Sequence, residues 1–342
     1  MNPVETRNRI DELDYLRGFA LLGIILINIV SLLSANTPAP NTPDAVYWKF
    51  LYLFVEGRFY TIFSFLFGVG FYLFISRANA KGKNGSLLFL RRIFVMFSFG
   101  LFHSMYHPGE ALSVYAVCGL LILPLYKLKK ELNLTIGFIL LLVFSTLGIK
   151  MFLPVALILL GLAAGQYQLF ENVVVKRKQL SWFTIIFFLL TAMALYYQAT
   201  QTPIPSREGS LELYWFYHVG IMIGPIVSAF YVGLLLLVLQ IPIVKKLLTP
   251  LKYYGRMALT NYLFQTFFIL IANSVFDLYG QLNLLQTLGI CLVIYIIQLV
   301  FSMIWLRYFR FGPLEWVWRM ATYLQVPPLR IKEKTKYQDF IK

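Results

Sequence analysis

The residues of this 342-residue chain that could do chemistry are polar groups set inside apolar runs. In "DYLRGFALLGIILINIVS", Asp14 and Arg17 open an apolar stretch, and Asn28 and Ser31 lie deeper within it. "EGRFYTIFSFLFGVGF" begins with Glu56 and Arg58, and "FHSMYHPGEAL" carries His103, His107 and Glu110. "GRMALTNYLFQT" holds Arg256, Thr260, Asn261 and Gln265. In such settings arginines attract anions, amides orient a polar solute, and a histidine beside a carboxylate serves as general base or proton relay. The histidines and Glu110 also have the residue types of a metal site, but Pro108 and Gly109 break their spacing, and no metal is expected. Plainer readings stand beside each of these. Asp14 with Arg17 and Glu56 with Arg58 read equally as surface ion pairs, Asn28 as an interhelical hydrogen bond, and His103 as a histidine satisfied by a carbonyl.

The segments that must position these groups are membrane helices. The chain is 59% hydrophobic and 13% charged, with 31 Phe and 22 Tyr, whereas a soluble domain carries about 25% charged residues. Its apolar runs are continuous over about 17–25 residues, which predicts an all-α, polytopic helical bundle and excludes a β-barrel. A net charge of +15 would suggest nucleic acid in a soluble protein. Here it reads as loop charge that orients helices, so membrane lipids are expected as partners and nucleic acid is not. Cys118 and Cys291 both sit in apolar runs without CxxC spacing, as packing residues do. Glu5, Asp11, Glu12 and Asp14 precede the first run, so it reads as a retained helix and not as a secretion signal.

Ten spans are predicted, at about 16–34, 58–76, 91–107, 111–126, 133–149, 152–169, 181–198, 214–240, 256–276 and 284–306, with an interfacial piece at 46–56. With the N-terminus cytoplasmic, only Lys49, Arg58, Lys150 and Arg207 of the 30 Lys and Arg fall on the outer side. That bias predicts that both termini are cytoplasmic. The bundle occupies 1–306. The segment 307–342 follows as a cytoplasmic tail, in which "PLEWVWRMATYL" predicts an amphipathic interfacial helix bearing Glu315, Trp316 and Arg319. Glu315 and Arg319, four apart, are placed to pair. On the first helix, Arg17 and Asn28 are eleven residues apart and fall within about 20° of one line, with Asp14 and Ser31 within about 60°. They form one polar stripe. Arg256, Thr260, Asn261 and Gln265 form a second polar face, and the GxxxG spacings at Gly161/Gly165 and Gly220/Gly224 mark internal helix packing.

Five ordered stretches carry a family resemblance: "LDYLRGFALLGIILINI", "EGRFYTIFSFLFGVGF", "RRIFVMFSFGLFHSM" with "GEALSVYAVCGLLILPLY", "YYGRMALTNYLFQT" and "FGPLEWVWR". Over nearly the whole chain they resemble the YeiB-like bacterial membrane proteins, known as domain of unknown function 418. The first stretch is also similar to the start of the transmembrane acyltransferases, in which an arginine is followed eleven residues later by a histidine that takes part in acyl transfer. Arg17 matches that arginine, but Asn28 stands where the histidine would be, and an amide cannot act as a general base.

Two principal function classes follow. The first is a protein that binds or transports a small anionic substrate. Asp14, Arg17, Asn28, Glu56, Arg58, Arg256, Asn261 and Gln265 would contact the substrate, and His103 would relay protons. The second is an acyltransferase-like enzyme with an acyl-thioester donor, acyl-CoA being its cofactor only in that case, and with His103 and Glu110 as catalytic groups. A structural or assembly role and a homodimer are also compatible with the pattern. No Walker loop, dinucleotide fingerprint or nucleophile elbow is present, so ATP-driven work by this chain alone is not expected.

Overall fold

The computed structural model describes residues 9–171, 173, 175–203 and 210–331; Arg7, Arg207 and the tail beyond 331 lie outside the described residues. The described chain is helical, with no β-strand and one isolated bridge between Phe309 and Arg330. In order the helices are α1 (Asp11–Leu32), α2 (Pro43–Phe50), α3 (Arg58–Ala80), α4 (Gly85–Ser104), α5 (Leu112–Ile122), α6 (Lys130–Thr146) and α7 (Leu153–Gln166). They continue with α8 (Arg177–Thr200), α9 (Leu211–Val238), α10 (Pro242–Leu247), α11 (Thr249–Arg256), α12 (Ala258–Phe276), α13 (Leu284–Tyr308) and α14 (Pro313–Tyr323). Each predicted span falls on a helix. Seven segments among the described residues are long and apolar enough to cross a membrane, the second of them running from Pro43 to Ala80. The helices α5, α6 and α7 are shorter, at 11, 17 and 14 residues.

Burial explains why α7 is short. Nearly every residue from Leu153 to Gly165 is buried, so protein and not lipid surrounds it. It meets α3 at van der Waals closeness: a Cβ on Gly68 would lie 2.0 Å from the Ile158 carbonyl oxygen, and one on Gly161 would lie 2.0 Å from that of Phe65. Only glycine allows backbones to approach so far. The GxxxG spacings are therefore internal contacts, since Gly165 packs on Tyr72, and Gly220 and Gly224 face Gln198 and Gly57. At the periphery, α8 buries only Thr184, Thr191 and Gln198, seven residues apart, which is a single line turned toward α9. Its remaining faces carry exposed Phe, Ile and Leu, as lipid contact requires.

The Lys- and Arg-rich end of the bundle, assigned to the cytoplasm by charge bias, is closed by α11 and α14. Asp14 accepts from Arg9 at 2.5 and 2.9 Å and from Arg17 at 3.2 Å, while Lys252 reaches Asp11 at 2.5 Å. The expected Glu315–Arg319 pair does not form. Glu315 instead accepts from the Leu259 and Thr260 amides at 2.8 and 3.0 Å and from the Thr260 hydroxyl at 2.6 Å. It thereby caps α12, whose first amides have no partner within the helix. Arg319 lies over Phe311 at 4.5 Å, and Trp316 donates to the Pro327 carbonyl at 2.9 Å. Removing the cap by Glu315→Ala is expected to cost about 1–3 kcal/mol. Glu315→Gln, which keeps one acceptor, is expected to cost less. Chemical or thermal unfolding in detergent measures both, and equal stability of Glu315→Ala and wild type would refute the capping role.

Candidate functional site

The α2 helix runs into a π-helical turn at Leu51–Val55, and Gly57 then takes φ 77° before α3 begins. This break leaves the Glu56, Gly57 and Arg58 backbone at the end of the bundle away from its Lys- and Arg-rich end, where α1, α7, α9 and the turn between α4 and α5 converge. Two cavities meet there. The larger, about 540 Å³, has Asn28, Glu56, Tyr60, His107, Glu110 and Tyr262 in its wall. The smaller, about 350 Å³, has Tyr52, Arg58, Gln198, Tyr217 and Gly220 in its wall. Glu56, Gly57, Tyr60 and Lys150 border both. Lys150 pairs with Glu56, so one ion pair stands between the two spaces.

Sequence reasoning paired Glu56 with Arg58; the structure separates them. With Glu56 engaged by Lys150, Arg58 turns inward and is 1% exposed. Its guanidinium donates to the Gln198 side chain at 2.7 Å, to the Glu56 carbonyl at 2.5 Å and to the Gly220 carbonyl at 3.1 Å. Its Nε is buried without a partner. All three partners are neutral, so among the described residues no carboxylate contacts this charge.

In the larger cavity His107 is 1% exposed, and neither ring nitrogen has a hydrogen-bond partner. Burial pushes it down to about 4, with the neighbouring His103 acting in the same direction and Glu110 opposing. Burial pushes the Glu110 carboxyl up, but the nearby His103 ring and the donors from Ser113 and Leu112 outweigh it and hold the group below its usual value. Those donors are backbone amides at the start of α5 and the Ser113 hydroxyl, so Glu110 is also a helix cap. His103 stands behind it. Its Nδ1 is 3.7 Å from Glu110, and its Nε2 is 2.9 Å from the Thr266 hydroxyl. The 3.7 Å gap to Glu110 is too long for a hydrogen bond and leaves the His103 Nδ1 without a partner, so carboxylate, imidazole and hydroxyl form no continuous relay, and neither His103 nor Thr266 is part of the cavity wall.

The other expected site residues lie elsewhere. Arg17, Asp14 and Arg256 are at the opposite, Lys- and Arg-rich end. Asn261 and Gln265 face a buried seam and not a cavity. Asn261 donates to the Tyr254 carbonyl and Ser302, Gln265 donates to the Tyr254 hydroxyl, Tyr254 donates to Gln298, and Gln298 donates back to the Asn261 carbonyl. The polar face of α12 thus locks α11, α12 and α13 together. Lys150, Gln198 and Tyr262 were not singled out from the sequence as site residues. Gln198 was recoverable from the Thr184–Thr191–Gln198 line on α8; Lys150 and Tyr262 carry no comparable local signal.

Among family models, residues 164–325 match the one described as a protein of unknown function (DUF418). A Bacillus acidopullulyticus protein, called an uncharacterized 39.9 kDa protein in the amylase 3' region, is 55% identical over 98% of this chain and 99% of its own. YxaH of Bacillus subtilis is 28% identical over 98% of this chain and 99% of its own. YeiB of Escherichia coli is 25% identical over 91% and 95%. No solved structure matches the chain.

The neutral His107 has a measurable consequence. Its pKa is lower folded than unfolded, so the unfolded chain binds a proton first as pH falls from 6.5 toward 4. Stability is full above about pH 6.5 and declines across that window by on the order of 2–3 kcal/mol. The depressed Glu110 carboxyl contributes its own loss only at lower pH. His107→Phe is expected to flatten the decline between pH 6.5 and 4.5 in thermal unfolding; an unchanged slope would contradict the assignment.

Proposed function

The chain belongs to the DUF418 family of YeiB-like membrane proteins, and from that premise we propose that it binds a small anionic solute in its outer cavities and moves it across a bacterial plasma membrane. One observation carries the reading: Arg58 is buried at the wall of the smaller cavity and hydrogen-bonds only neutral groups, while Glu56, within electrostatic reach, is paired with Lys150. A buried charge with no ion-pair partner of its own is costly, and a bound carboxylate or phosphate would offset that cost. Because Glu56 and Lys150 neutralise each other, Arg58 leaves the smaller cavity net positive. The unpartnered ring nitrogens of His107, with Asn28 in the wall of the adjoining cavity, would orient the solute's other polar groups.

Passage would require a rearrangement. Phe63, Tyr115 and Tyr262 border the inner part of the bundle beneath the larger cavity and belong to its core or pack against it. The π-helical turn and the left-handed Gly57 supply a natural flexing point beside both cavities.

A second reading, acyl transfer from a thioester donor, rests on Asn28, His107 and Glu110 sharing one cavity wall. His107 would then act as base in place of the histidine that Asn28 replaces. Hydrolysis of acyl-CoA by the purified protein, lost in His107→Ala, would favour this reading over transport.

In proteoliposomes, the wild type is expected to take up at least one member of a panel of small carboxylates and phosphates. Uptake should fall about tenfold or more in Arg58→Ala and less in Gln198→Ala, since a charged hydrogen bond is worth about 1.5–3 kcal/mol. Size-exclusion chromatography checks that both variants fold. If no anion binds or moves with the wild type, the proposal fails.

A further inference from the structure

The end of the bundle opposite the two cavities gathers arginines from several elements. Arg17 of α1 lies within electrostatic reach of Arg9 and of Arg77 of α3. Arg92 of α4 lies within reach of Arg17 and of Arg319 of α14, and Arg9 is in turn within reach of Arg256 and Arg319. The acids present are already committed. Asp14 binds Arg9 and Arg17, Asp11 binds Lys252, and both oxygens of Glu315 are occupied by α12 and Thr260. Glu315 lies within electrostatic reach of Arg92, and Asp14 and Asp11 within reach of Arg256, but among the described residues no carboxylate forms an ion pair with Arg92, Arg256 or Arg319.

These guanidiniums are also held in place. Arg92 is sandwiched between Trp318 at 3.6 Å and Phe74 at 5.0 Å, and the Trp318 indole donates to the Arg92 carbonyl at 2.8 Å. Arg319 is fixed over Phe311. On α1, Arg17 reaches into the space left by the missing side chain of Gly70, where a Cβ would stand 3.2 Å from its terminal nitrogen. Stacking uses the faces of the guanidiniums and leaves their N–H edges available. The Nε of Arg256 is buried with no partner. All four side chains are half-buried, open enough to admit a ligand and too enclosed for water to screen their mutual repulsion fully.

We propose that this arginine cluster, built from Arg17, Arg92, Arg256 and Arg319, is a binding site for a phosphate group. Phosphate fits because its several oxygens accept from more than one guanidinium at once, whereas a single carboxylate would satisfy fewer donors. The ligand is either the head group of an anionic phospholipid or a soluble phosphate or pyrophosphate ester. The α14 helix beside the cluster is amphipathic and carries Trp316, Trp318 and Tyr323, the residue types that favour the head-group level of a membrane. The proposal does not depend on the anion reading of Arg58, which concerns the other end of the bundle.

The test uses the full chain with two probes: phosphatidylglycerol added to phosphatidylcholine nanodiscs, and inorganic pyrophosphate added in detergent. At least one probe is expected to raise the unfolding midpoint of the wild type, as a ligand specific to the folded state must. The double variant Arg92→Gln, Arg256→Gln should bind that probe about tenfold more weakly. The single variant Arg319→Gln, which leaves the Arg92–Trp318 stack intact, should show a smaller loss. A response to phosphatidylglycerol alone identifies a lipid site; a response to pyrophosphate as well identifies a site for soluble phosphate esters. Lys127→Gln with Lys129→Gln, on a different loop, should bind like the wild type. The proposal is overturned if neither probe shifts the wild type, or if the lysine variant loses as much as the arginine variant.

Discussion

Hydrocarbon offers no hydrogen bonds, so every polar group that enters the bilayer must bring its partner from the protein. The arrangement of this bundle follows from how that requirement is met in two different ways. Along the seam between α11, α12 and α13 it is met largely from within, by amides and hydroxyls that bond one another and leave the Gln265 Oε1 as the one buried atom among these side chains without a partner. Around the Glu56–Arg58 break it is met incompletely, leaving a guanidinium Nε and both nitrogens of a histidine unbonded. The first region is rigid scaffold. The second is where a solute would complete the bonding.

Much of this was legible in the sequence, because the elements are local. Apolar run length located the helices, and residue spacing on α1 and α12 located their polar faces. What rotation along a helix cannot supply is depth and partnership. Arg17 and Asn28 share a face of α1, yet eleven residues of rise separate them by about 16 Å, so they serve opposite ends of the bundle. The polar face of α12 was equally visible, but whether it lined a cavity or a seam depended on Tyr254 and Gln298, which lie on other helices. Glu56 and Arg58 are neighbours in sequence and part in space because Lys150, 94 residues on, supplies the stronger partner. Glu315 follows the same logic. A helix start with unbonded amides outcompeted the arginine one turn away.

The two clusters of positive charge differ in kind. Arg58 is a single buried guanidinium held by carbonyl dipoles and an amide, which suits one small anion. The arginines at the opposite end are several and half-buried, two of them set over aromatic rings, which suits a ligand with several anionic oxygens. Their common feature is that local carboxylates are engaged elsewhere, leaving charge available.

The sparse attachment of α8 gives the smaller cavity an unusual wall. The same Gln198 that steadies Arg58 is, with Thr184 and Thr191, a buried side chain of that helix, flanked by the partly buried Leu180, Ala194 and Leu195. Because the Gln198 carboxamide both accepts from Arg58 and donates to the Phe216 carbonyl of α9, any displacement of α8 would take away the side-chain partner of Arg58 and open a wall of the smaller cavity at the same moment.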